Sequence, residues 1–144
     1  MTSSLHVAFR VGTAEYVLPA SAVLHLESFE AATHVPGAPS YVAGLVQVRG
    51  RVVPVVDLRK RFGLPPTEHE LAHRVVVVQL GARVAGLLVD SAREVIHLDD
   101  ASFQDAPELI KQQASGFVKG VVTVAGRLFL LVDVPRLIAE ELAS

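Results

Sequence analysis

The chain has 144 residues, 51% hydrophobic and 19% charged, with a formal net charge of −2 and no cysteine. That length suits one domain with a real core, and the composition excludes extended disorder. The missing cysteines exclude disulfides and thiolate metal sites, the lack of a basic excess argues against nucleic acid as a partner, and the absence of a signal-peptide pattern or a run of about 20 apolar residues predicts a cytosolic protein that does not insert into membranes.

Valine dominates the apolar content with 25 copies against three isoleucines. Its branched carbon packs well on a pleated surface, so short valine-rich runs read as strands. In chain order the predicted strands are Leu5–Val11, Tyr16–Pro19, Ala22–Glu27, Tyr41–Val48, Val52–Leu58, Arg74–Leu80, Arg83–Val89, Glu94–Leu98, Phe117–Val124 and Leu128–Val132. Arg49-Gly50-Arg51 and Ala125-Gly126-Arg127 each join two strands as a hairpin whose glycine supplies a positive φ. Two short helices are expected. Leu58–Phe62 is stopped by Gly63 and Pro65-Pro66, and Pro135–Leu142 carries its proline in the first turn. Asp57 and Asp133 precede them as caps.

An internal repeat organises these elements. Residues 41–63 align without a gap over 117–139, with eight of 23 positions identical, including Gly44/Gly120, Gly50/Gly126, Arg51/Arg127 and Asp57/Asp133. Upstream, Gly12 falls over Gly81 at an offset of 69, and Val23–Leu26 over Val95–Leu98 at 72, which pairs His25 with His97. The chain therefore reads as one all-β domain, 1–144, made of two units, about 5–68 and 74–142. Each unit is a small five-stranded barrel with short helices, with exchange of strands between the barrels left open. Their apolar outer faces would meet, and a groove there is the natural place for function.

His69-Glu70-Leu71-Ala72-His73 matches the pattern H-E-x-x-H, in which two histidines one helical turn apart bind zinc and the glutamate activates water. Only six residues separate Pro66 from His73 and the strand that follows, too few for the helix the pattern needs, so a short solvated connection is the stronger expectation. A zinc hydrolase using His69, Glu70 and His73 stands as the alternative of another class. His25 and His97 read as surface-facing members of alternating strands, with partner contact as the other reading of His25. No phosphate loop and no nucleophilic serine arrangement is present, and no catalytic residue, metal or cofactor is expected.

The series Val35-Pro36-Gly37 to Gly44-Leu45, then Gln47-Val48-Arg49-Gly50, Pro54-Val55-Val56-Asp57-Leu58-Arg59 and Arg61-Phe62-Gly63-Leu64, closely resembles the CheW family of chemotaxis coupling proteins. Agreement continues through Gly86–Asp90 and Glu94–Ile96, and spans Val7 to about Leu142. The resemblance implies two SH3-like barrels and a stand-alone, non-enzymatic adaptor. Such an adaptor joins chemoreceptor cytoplasmic tips to the regulatory domain of a CheA-type histidine kinase. It also implies recruitment to receptor arrays and pairing with other CheW-like domains in rings. Gln47 and Val48 stand where the family usually has asparagine and leucine, and His25 where many members carry glutamate. A specialised protein that engages only one partner is the alternative within this class.

Carried over residue by residue, the partner-binding candidates are Arg49 and Gly50 at the hairpin tip, His25 as a further partner contact, and Val23, Val46 and Val95 for an apolar groove receiving a helical hairpin. A guanidinium at a hairpin tip can grip a carboxylate through two parallel hydrogen bonds. The second unit has Ala125 in the place of Arg49, so the fold does not require arginine there.

Overall fold

A computed structural model describes residues 3–67, 73–108 and 116–138. Its strands are β1 (Ser3–Val11), β2 (Ala14–Pro19), β3 (Val23–Ser28), β4 (Val42–Val48), β5 (Arg51–Asp57), β6 (Arg74–Leu80), β7 (Arg83–Val89), β8 (Ser91–Asp99), β9 (Gln104–Asp105), β10 (Val118–Val124) and β11 (Arg127–Val132). Single-turn helices α1 (Leu58–Arg61) and α2 (Val134–Leu137) follow β5 and β11. The ten predicted strands are all present, shifted by up to three residues at their ends. Both caps form as expected: the Asp57 carboxylate accepts from the N–H groups of Arg59 and Lys60, and that of Asp133 from the N–H of Arg136. Residues 139–142 of the second predicted helix lie outside the described residues.

The strands form two sheets, in the orders β3-β6-β7-β5-β4 and β8-β1-β2-β11-β10-β9. Each takes strands from both halves of the sequence, because the hairpins β1–β2 and β6–β7 change places. The two orders are one topology: β6–β7 corresponds to β1–β2, β5–β4 to β11–β10, and β3 to β8. Even the parallel contact repeats, with Val55 opposite Gly86 in one sheet and Leu131 opposite Val17 in the other. The register breaks at Val42/Gly44 and again at Val118/Gly120. The bridge between Thr33 and Leu45 is matched by Gln104 opposite Val121, so the unpredicted β9 is the second copy of a crossing segment.

These registers correct one sequence expectation. His25 lies opposite Val77, and its equivalent Glu94 lies opposite Ala8, whereas His97 lies opposite Leu5. The offset of 69 at the glycine turn therefore extends through β3 and β8, and His25 and His97 do not match. The offset of 72 rests on two fortuitous apolar-histidine quartets, Val23–Leu26 and Val95–Leu98.

Packing follows from the pleat. Successive residues of a strand point to opposite faces, and the central strands are buried on both, which a continuous valine run satisfies. Val76 and Val78 join Phe9, Tyr16, Leu18 and Leu87 in the large core between the sheets. Val75 and Val77 point the other way, where they meet Val48, Val53, Val55 and Leu88 inside the first subdomain. Ala8, Val17, Leu98, Val122 and Phe129 fill the interior of the second. The interface thus uses the outward faces of both subdomains.

One polar joint ties the two together. Arg59 in α1 donates through Nε and Nη2 to the Asp90 carboxylate at 2.9 and 2.7 Å, and the Gly12 N–H at the β1–β2 turn donates to the same carboxylate at 2.8 Å. Burial alone would push the Asp90 carboxyl up. The hydrogen bonds from Arg59 and Gly12, with the charges of Arg59 and His73, outweigh it and hold the group below its ordinary range. His73 Nε2 lies 4.0 Å from Asp90 and the residue is buried, against the expectation of a solvated connection. The rest of the H-E-x-x-H pattern, His69 and Glu70 included, lies outside the described residues.

Candidate partner-binding site

The β4–β5 hairpin closes in two residues, and both take positive φ: 50° at Arg49 and 81° at Gly50. The β10–β11 hairpin repeats this with 52° at Ala125 and 79° at Gly126. Two positive φ values give the turn whose twist matches that of the flanking strands. Glycine adopts this conformation freely, but a residue with a Cβ pays roughly 1–2 kcal/mol for it. The strain at position 49 is thus set by the turn, because alanine bears it equally in the other half. Sequence reasoning assigned the positive φ to the glycine alone.

Arg49 projects from the tip with its side chain 68% exposed, and its Nε donates to Glu27 on β3 at 3.4 Å, a long and solvated ion pair. Two open clefts flank the tip. One, of about 520 Å³, runs between Glu27, Phe29, Glu30 and Val46, with Gln47 and Arg49 at its rim. The other, of about 250 Å³, has His25, Arg49 and Arg51 around a floor of Val53, Val77 and Val84. Arg49 therefore belongs to both, Val46 to the first and His25 to the second. Val23 lines neither; it is half-buried at the start of β3 and packs against the core between the sheets. Val95 lies on the other sheet, opposite Val7 and 55% exposed. Val48 is buried in the interior of the first subdomain, while its neighbour Gln47 is exposed.

The matching region of the second subdomain is wired differently. Arg127 grips two carboxylates at once. Its Nε and Nη2 donate to Glu15 at 3.2 and 2.8 Å, its Nη1 and Nη2 to Glu94 at 3.2 and 2.8 Å, and its guanidinium lies 4.9 Å from the centre of the Phe129 ring. The hydrogen bonds from Arg127 hold both carboxyls below their ordinary range, and the two carboxylates in turn raise the guanidinium. Sequence reasoning paired Arg51 with Arg127 but missed this cluster. Carrying the glycine-turn offset of 69 along the strands would have set Glu15 over Val84 and Glu94 over His25.

A family model of the CheW-like domain matches residues 6–142. The chemotaxis protein CheW of Rhizobium meliloti (strain 1021) is 34% identical over 135 residues, spanning 94% of this chain and 87% of that protein. The chemotaxis protein CheW of Bacillus subtilis (strain 168) is 29% identical over 140 residues, spanning 97% and 90%. Among solved structures, the scaffolding protein TtCheW from Thermoanaerobacter tengcongensis is similar with a TM-score of 0.87 at 26% identity, over 95% of this chain and 93% of that one.

Proposed function

The chain belongs to the CheW family, whose members are chemotaxis scaffolds and not enzymes, and from that membership we infer that this adaptor couples chemoreceptor cytoplasmic tips to the regulatory domain of a CheA-type histidine kinase. It does so in the cytoplasm, at receptor arrays, with other CheW-like domains completing rings. Arg49 and Gly50 form the contact tip, His25 and Val46 line the clefts beside it, and Val23 and Val95 contribute apolar surface.

The observation that supports this reading is Arg49 itself. The turn strains any side chain with a Cβ, the second half manages with alanine, and the Glu27 pair is too exposed to stabilise the fold by much. An arginine kept there is explained by what it touches outside the chain. Arg49→Glu should fold with an unchanged thermal melt and bind the receptor tip or the kinase regulatory domain at least tenfold more weakly, a loss of about 1.4 kcal/mol or more. Unchanged binding of both partners and normal kinase activation by the folded variant would reject the assignment.

A further inference from the structure

Arg51 and Arg127 occupy one position of the repeated fold, each the first residue of its strand after the turn. Around Arg127 the chain supplies Glu15 from β2 and Glu94 from β8. The same two places around Arg51 are held by Val84 on β7 and His25 on β3, as the ladder registers require. Among the described residues no carboxylate pairs with Arg51, which is exposed at the rim of the 250 Å³ cleft.

An exposed arginine without an acid is ordinary in water. In the second copy of the same frame, two carboxylates converge on one guanidinium with four hydrogen bonds of 2.8–3.2 Å. That geometry is therefore accessible to this backbone. In the first copy the positive group is retained, the acids are replaced, and a second arginine, Arg49, stands beside an apolar floor.

Resting on the adaptor reading above, we propose that the partner segment seated at the β4–β5 tip is acidic, placing two carboxylates on Arg51 where Glu15 and Glu94 stand at Arg127, and an apolar side chain on the floor of Val53, Val77 and Val84. Arg51 is thus a recognition residue that the resemblance to the family did not single out. Charge complementarity selects the segment, and the valine floor favours one whose acids flank an apolar residue.

The chain can be made to fill this site itself. His25→Glu with Val84→Glu rebuilds the Arg127 cluster around Arg51 and should exclude the partner's acids. Binding of the full-length protein to a labelled receptor tip and to a kinase regulatory domain is measured at low and high salt, alongside thermal melts. At least one partner should bind tenfold or more weakly to the double variant and to Arg51→Glu, with a flatter salt dependence. Should Val84→Glu unfold the chain, Arg51→Glu and the milder Arg51→Gln carry the test, both being changes on the cleft rim.

Folded variants that bind both partners as the wild type does would overturn the proposal and leave the adaptor reading intact. Loss with Arg51→Glu but normal binding by the folded self-filled variant would also overturn it, since Arg51 would then act without a carboxylate pair. A wild-type chain that binds neither partner would reject the adaptor reading and this inference with it.

Discussion

The two subdomains share strand order, parallel contact, glycine bulge, crossing segment and strained hairpin turn, yet they differ at the hairpin surface. In the second, Arg127 is closed by Glu15 and Glu94, and the turn residue is Ala125. In the first, Arg51 faces His25 and Val84, and the turn residue is Arg49. What repeats is what the backbone needs, namely a residue without a Cβ at the bulge, a cap before the helix and alternating apolar side chains. What does not repeat is free to serve a partner, and it is at these mismatches that partner contact is proposed.

The bulge glycines test the shared plan most severely. A Cβ on Gly44, whose φ is 144°, would lie 2.3 Å from the Thr33 carbonyl oxygen, whereas one on Gly120 would lie 3.1 Å from that of Gln104. Gly44→Val should destabilise the fold by more than about 3 kcal/mol and Gly120→Val by about 1–2 kcal/mol. Denaturant midpoints check this, and equal midpoints would break the inferred difference in crowding.

The joint at Asp90 has no second copy, since the positions equivalent to Arg59 and Asp90 are Pro135 and Ser21. Asp90→Asn leaves the part-buried Arg59 guanidinium without its carboxylate and should cost about 2–3 kcal/mol at pH 7. Because the folded carboxyl is held below its ordinary range, the ion pair's contribution is complete above about pH 4 and fades as pH falls through the folded value. Urea melts of wild type and variant at pH 7 and near pH 3 should therefore converge on acidification. A constant gap would assign the loss to packing instead.

The smallest effect concerns the turns. Asparagine tolerates positive φ better than alanine or arginine, so Ala125→Asn should raise stability by about 0.5 kcal/mol. Arg49→Asn should gain slightly less because the solvated Glu27 pair is lost, and it should weaken partner binding. Thermal melts and the binding assay together separate a strained structural residue from a functional one.

Strand positions, hairpin turns and helix caps were legible in the sequence because each depends on neighbours within a few residues: Val75–Val78 can only sit where both faces are buried, and Arg49-Gly50 can only turn. The resemblance in Gln47–Gly50 and Pro54–Arg59 supplied the family, and the asymmetry between Arg49 and Ala125 supplied the first candidate residue for partner contact. Tertiary structure alone decided which hairpin joins which sheet, since β2 and β7 occupy equivalent positions and each pairs in parallel with a strand of the other half-repeat. It also decided the alignment of His25 with Glu94, the burial of His73, and the convergence of Glu15 and Glu94 on Arg127 across 112 and 33 residues of chain. Such contacts depend on ladder register and sheet curvature summed over many strands, and a local pattern of side chains carries no record of them.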